Sequence, residues 1–350
     1  MSALEIIACG PQTSIQDAGR FGHADIGLAS AGAMDPRALA IANVLVGNDP
    51  HEAVIETALM GLAARVIGGP IFMALAGGHA VMTVDGKEVE THASVAAAEG
   101  AAIGIGRITR GVYAVLAVGG GFDIEPVLGS RSLDARARLG GFFGRHLQPG
   151  DRLELRPVRR GNPHRLWAEP VSLDREAPVR VVLGPQAEAF SERGLQSLIG
   201  SAFAVTTAID RMAYRLAGPV IERGSGFEMI SEGTLAGSIQ VPPDGQPLVL
   251  MTDRQTIGGY PKIATVISAD LARLAQRRPG ESVRFVAVSV EEAREIAAQQ
   301  RALGVVVHEG WRRGGGTAAG LDQERLSHLA DAVVDAADQG SWDMSVGEGG

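Results

Sequence analysis

Apolar residues in this chain come in short runs, most of about four to seven residues, closed by Gly, Pro or Asp. Arg65–Ile67, Ile71–Ala76, Val81–Val84, Ile103–Ile105, Val112–Val118, Val179–Leu183, Leu248–Met251, Ile263–Val266 and Val283–Val288 follow this pattern. Such runs predict β-strands. Helical spacing of apolar positions shows in Pro36–Val46, Gln186–Leu198, Asp270–Arg277 and Val290–Leu303, and again in Gln323–Gln339. Many strands with few helices predict a mainly β fold of barrels or sandwiches, not a doubly wound sheet.

The pattern is stated twice. Gly10-Pro11-Gln12 returns as Gly184-Pro185-Gln186, an offset of 174, and Met34-Asp35 with Ala38 and Ala42 returns as Ile209-Asp210 with Ala213 and Ala217, an offset of 175. Glu52, Glu56, Leu59 and Gly61 return as Glu228, Glu232, Leu235 and Gly237, an offset of 176, and Ile71–Ala76 then falls opposite Pro247–Thr252. Duplication with small indels explains the creeping offset; chance similarity of Gly- and Ala-rich text is the alternative. The expected organisation is a first barrel unit over 1–156 carrying an insertion at 118–146 and a linker over 157–178. A second barrel unit follows over 179–290, then a C-terminal helix and extension over 291–350. Two pseudo-symmetric barrels leave a cleft between them, a common place for a ligand.

Composition narrows the function. The chain has 350 residues, is 45% apolar and carries a formal charge of −8. That sign argues against nucleic acid, which needs a positive field. Apolar runs are far below the roughly 18 residues of a membrane span. MSALEIIACG lacks the basic and apolar regions of a secretory signal, so a cytoplasmic protein is expected. Cys9 is the single cysteine, which excludes an intrachain disulfide, and the eight histidines show no metal-ligand spacing, so no metal is expected.

Candidate chemistry gathers on turns. Two lysines stand against thirty arginines, so Lys262 suggests a task for a compact ammonium with an adjustable pKa; a chance surface lysine is the plain alternative. Around it lie Glu232, Gln240, Asp253, Arg254, Gln255 and Tyr260, two acids, two amides, a guanidinium and a phenol that suit polarising a carbonyl and moving a proton. Asp210 and Arg211 form a second group. In the first half, Asp17 and Arg20 precede the Gly-rich loop Ser30–Asp35, where Ser30 and Asp35 are candidate ligand contacts; Asp35 before Pro36 fits a helix N-cap better than a ligand contact. Arg131 between Ser130 and Ser132 fits the bidentate grip of a carboxylate or phosphate, or a solvated loop.

These stretches resemble the biotin-dependent carboxyltransferase / allophanate hydrolase subunit 2 family, which includes the C-type subunit of 5-oxoprolinase, the Kip-system antagonist and the carboxyltransferase region of urea carboxylase. The matching text is SIQDAGR (14–20), SAGAMD (30–35), ANVLVG (42–47), GSRS (129–132), GPQ (184–186), DRMAYRL (210–216), SEG (231–233), IQVPPDGQ (239–246) and DRQTIGGYPKIATVIS (253–268). Ala213 stands where the family usually has Gly, and nothing in 304–350 is matched. The resemblance implies two cyclophilin-like β-barrel units around a canyon. It implies a subunit of an ATP-dependent 5-oxoprolinase, working with a B-type subunit 1, alone or with a third subunit, on a small-molecule amide with ATP and Mg handled by the complex. Two alternatives travel with it: a carboxyltransferase receiving carboxybiotin from a separate carrier, and a non-catalytic binder of a kinase inhibitor. Lys262, Asp253, Gln240 and Glu232 are then the expected catalytic centre. Tyr260, Arg254, Gln255, Asp210, Arg211, Ser30, Asp35, Asp17, Arg20 and Arg131 are the expected substrate contacts.

Overall fold

The computed structural model describes residues 2–158, 166–169, 175–224, 230–302, 304–305 and 308–309. Its first half is two packed sheets. One has six strands in the order Arg152–Glu154, Ala3–Cys9, Leu62–Ile67, Ala102–Ile105, Met82–Val84 and Lys87–Val89. The other has five, in the order Ser14–Gln16, Val54–Ala58, Arg110–Val118, Ile71–His79 and Val95–Ala97. The two long central strands read as unbroken apolar runs because both of their faces are covered. Met73, Leu75, Ala114 and Leu116 point between the sheets, while Ala74, Ala76, Val115 and Ala117 face helix α1, Pro36–Leu45. The small alanines on that outer face let the helix approach closely.

The second half is a closed seven-stranded barrel, Val179–Leu183, Lys262–Val266, Ser238–Gln240, Leu248–Leu250, Ala213–Ala217, Ala202–Ile209 and Ser282–Ala287 in order around the wall. Neighbours are antiparallel except where Val179–Leu183 meets Ser282–Ala287 in parallel and closes the ring. Phe203, Tyr214, Leu216, Ile239, Val249 and Phe285 fill the interior, and Met34, Val112 and Tyr113 of the first half pack against the same cluster. Three helices follow the expected pattern with shifted ends. α2 is Glu192–Gly200, not Gln186–Leu198, because Ser191 caps it by accepting from the Gly194 amide and Ala187–Ala189 is a separate 3-10 turn. α3 is Ser268–Ala275 and α4 is Val290–Ala302.

The mainly β class holds, with a closed barrel in the second half and two packed sheets in the first, but the residue-level repeat fails in its middle. Ala38 and Ala42 lie in α1, whereas Ala213 and Ala217, assigned as their duplicates, lie in a barrel strand. Identical small residues satisfy a helix in one place and a strand in the other. The segment expected as a linker contains the strand Leu166–Trp167, paired with His308–Glu309, and Leu166 and Ala168 are buried against the α1 layer. The helix expected at Gln323–Gln339 lies outside the described residues.

Asp270 moors α3 to the barrel wall. Arg180 donates to it from its backbone amide (2.8 Å), Nε (2.9 Å) and Nη2 (2.6 Å), and Arg273 adds a contact at 3.3 Å. Burial opposes ionisation of this carboxyl, but the hydrogen bonds and charge of Arg180 outweigh burial and hold it below its ordinary value of 3.8. A depressed folded pKa adds stability above the unfolded value, and that stability is lost as pH falls through the folded one. Asp270→Asn is therefore expected to be less stable at pH 7 and to lose less on acidification below about pH 4, so that the two stability curves converge. Urea midpoints measured from pH 7 to pH 2 check this; parallel acid limbs would count against it.

Candidate functional site

One guanidinium joins the two halves. Arg211, in the turn before the strand Ala213–Ala217, binds Asp253 through Nε (2.8 Å) and Nη2 (2.9 Å), forms an ion pair with Glu56 of the first half, and donates to the Gly32 carbonyl at 2.7 Å. Glu56 also accepts from the Met34 amide at 2.7 Å. All three charged side chains are buried. Burial pushes Glu56 up while Arg211 pulls it back; burial also disfavours the charge on Arg211, yet Asp253 and Glu56 hold it ionised. Gln276 makes a second clamp, accepting from the amides of Val112 (2.8 Å) and Tyr113 (3.0 Å) and donating to Asp35 (2.9 Å). Asp35 caps α1 through the Ala38 amide at 3.1 Å and is itself buried, so it serves the framework.

The Gly-Ser-Arg-Ser loop does grip a carboxylate, and it is the chain's own. Asp17 accepts from the hydroxyls of Ser130 (2.7 Å) and Ser132 (2.5 Å) and from the amides of Gly19 (2.8 Å) and Arg131 (2.5 Å). Arg20 donates to the carbonyls of Val127, Ser130 and Ser132, and Arg131 to that of Ile124 at 2.6 Å, with Glu52 at 3.6 Å. Asp17, Arg20 and Arg131, expected as substrate contacts, instead staple the 118–146 segment to the strand Ser14–Gln16. Asp210 is exposed and accepts from the amides of Met212 and Ala213 in its own turn.

Lys262 opens a barrel strand with its side chain 3% exposed, so it is not a chance surface lysine. Its ammonium donates to Glu232 at 3.3 Å and to the Gly233 carbonyl at 3.1 Å. Glu232 is 55% exposed in its side chain, so one face of this ion pair is open to a ligand. The amide that completes the set is Gln186, which donates to Glu232 at 2.7 Å while its carbonyl oxygen accepts the Lys262 backbone N–H at 3.1 Å. Gln240, expected beside the ammonium, sits fully buried behind the site, between the Tyr260 carbonyl and the Gln255 amide, both at 3.4 Å. It packs against the short strand Ile257–Gly258, which pairs with Glu232–Gly233: a Cβ at Gly258 would stand 2.4 Å from the Gln240 nitrogen. Tyr260 is 43% exposed at the rim. Asp253, expected beside Lys262, has both oxygens committed to Arg211.

The two groups meet along the ribbon 232–234. Lys262 holds the Gly233 carbonyl, and Arg254 Nε donates to the next one, Thr234, at 3.3 Å. Arg254 Nη1 reaches across the joint to the Ser30 hydroxyl at 3.2 Å. A cleft of about 220 Å³ opens there, lined by Gly27, Ala29, Asp134, Arg136, Asp253 and Arg254. Sequence reasoning missed Gln186 and Glu56 as site residues, although both stood in the duplicated text. It also missed His146, whose imidazole is pushed down by burial and by the charge of Arg211. Among the described residues no group of three His, Cys, Asp or Glu is placed to hold a metal ion, and no helix is long and apolar enough to cross a membrane.

Residues 26–287 match the family described as carboxyltransferase domain, subdomain A and B. The chain is 36% identical over 304 residues to the C-type subunit of 5-oxoprolinase from Escherichia coli, covering 85% of this chain and 95% of that protein. It is 32% identical to urea amidolyase of Saccharomyces cerevisiae over 85% of this chain and 17% of that one. The crystal structure of the K. lactis urea amidolyase superposes with a TM-score of 0.78 at 27% identity, over 85% of this chain and 19% of that one.

Two substitutions separate the joint from the ion pair. Arg211→Ala leaves two buried carboxylates unpaired and is expected to cost about 3–5 kcal/mol, read from urea unfolding at pH 7. Lys262→Met removes a buried ammonium whose partner stays hydrated, and is expected to change stability by less than about 1 kcal/mol or to raise it. A loss at Lys262 as large as that at Arg211 would make the lysine a structural group.

Proposed function

Because the chain belongs to the carboxyltransferase-domain family, subdomains A and B, we propose that it is a subunit of an ATP-dependent 5-oxoprolinase that opens the lactam of 5-oxoproline to glutamate. The support is the match to the C-type subunit of 5-oxoprolinase across 95% of that protein's length, together with the Lys262–Glu232 pair at an accessible edge of the barrel. A lactam approaching from the exposed Glu232 side meets a carboxylate able to take a proton from attacking water, with the buried ammonium of Lys262 behind it as a positive charge that favours negative charge developing on the carbonyl oxygen. Gln186 ties the carboxylate to the Lys262 backbone through one amide.

In this reading ATP and Mg are handled by the complex, in which a companion subunit of the B type, or a third subunit, works with this chain in the cytoplasm. The likeness to urea amidolyase supports a second reading, in which the same ion pair receives carboxybiotin from a separate carrier and a carboxyl group passes to an amide nitrogen.

Co-expression with the neighbouring genes and an assay of ATP-dependent glutamate release from 5-oxoproline tests the first reading. Lys262→Met is expected to lower turnover by a factor of about 100 or more in a complex that still assembles. Activity that is abolished by avidin, with no glutamate released, would move the assignment to the carboxyltransferase.

A further inference from the structure

The cleft at the joint is built from both halves. Gly27, Ala29, Asp134, Arg136 and Ala137 come from the first, Asp253 and Arg254 from the second. Its polar groups are not all consumed. Arg254 spends Nε on the Thr234 carbonyl and Nη1 on Ser30 and the Thr252 carbonyl; among the described residues, Nη2 has no partner. Asp134 is 4% exposed. Its Oδ1 accepts from the amides of Arg136 (3.1 Å) and Ala137 (3.0 Å), and its Oδ2 has no partner among the described residues. Arg136 is exposed on the same wall. A guanidinium edge and a carboxylate oxygen, on side chains more than nine-tenths buried, face one small space. Each leaves a hydrogen-bonding requirement unmet by the protein.

We propose that this cleft is a recognition site, distinct from the Lys262–Glu232 pair, for a small molecule carrying both a carboxylate and an amide or amine N–H, the α-carboxylated lactam or its amino-acid product. Arg254 Nη2, assisted by Arg136, takes the carboxylate, and Asp134 Oδ2 accepts the N–H. The volume, about 220 Å³, corresponds to about seven waters at roughly 30 Å³ each, enough for a molecule of amino-acid size. Urea has the N–H groups without the carboxylate, so the cleft distinguishes the two chemistries found among the relatives. The inference rests on the 5-oxoprolinase reading for the identity of the ligand, and on the cleft alone for its charge pattern.

Isothermal titration of the full chain with 5-oxoproline, glutamate, 2-pyrrolidinone and urea tests it. Saturable binding of the two carboxylated ligands is expected, with 2-pyrrolidinone and urea at least tenfold weaker. Asp134→Asn and Arg136→Ala are each expected to weaken the carboxylated ligands by about tenfold, in variants whose melting curves match the parent. Pyrrolidinone binding as tightly as 5-oxoproline, no saturable binding of either acid, or unchanged affinity in both variants would overturn the proposal. If the acids bind and the variants weaken them while the assembled complex releases no glutamate, the cleft assignment stands and the 5-oxoprolinase reading falls. Glutamate release with a KM unaltered by both substitutions leaves the 5-oxoprolinase reading standing and removes the cleft assignment.

Discussion

The shared guanidinium of Arg211 is the constraint on which the rest of the molecule depends. It lies where Met34, Val112 and Tyr113 of the first half pack into the core of the second, and is held by an acid from each half. Ion pairs of this kind contribute little net stability against a well-packed apolar joint. What they supply is orientation: a fork of fixed geometry accepts two carboxylates and a carbonyl in one arrangement only. Gly32, at φ +89°, makes that carbonyl available, and a Cβ there would press within 2.9 Å of the Ala18 carbonyl oxygen. The glycine is required by the close approach of two backbone segments as much as by its own dihedral.

From that joint the site follows along the chain. Fixing Asp253 fixes Arg254 and Gln255, and those two hold the ribbon 232–234 and the Gln240 amide. The ribbon in turn carries Glu232 to Lys262. A rigid barrel strand presents the ammonium, and a short ribbon presents the acid, so the pair can be tuned by a neighbour without disturbing the core. The acid remaining half in water while the amine is buried makes the pair asymmetric: approach is from the Glu232 side.

Much of this was legible in the sequence where burial is apolar. Ile71–Ala76 and Val112–Val118 announced central strands because helix α1 leaves them no solvent face. Ser14–Gln16 and Val54–Ala58 were not announced, because Gln16 and Glu56 are buried polar residues whose partners, the Leu133 carbonyl and Arg211, lie far along the chain. The candidate set was found by residue type and turn position, and its internal pairing was not. Asp253 and Glu232 are equally plausible acids for Lys262 in one dimension; only the Arg211 turn, forty-two residues away from Asp253, decides which of them is occupied elsewhere. The same holds for the amide, where Gln186 comes from before α2 and Gln240 from the neighbouring strand.

The near-absence of lysine has a practical side. Lys87 sits exposed on the outermost hairpin of the six-stranded sheet, while the other side-chain amine is sealed against Glu232 and Gly233. An acylating reagent thus meets one open side-chain amine and one closed one on the same molecule. The ratio of modification at the two positions becomes an internal gauge of how often the ribbon lifts from the barrel, with Lys87 correcting for reagent strength in every sample.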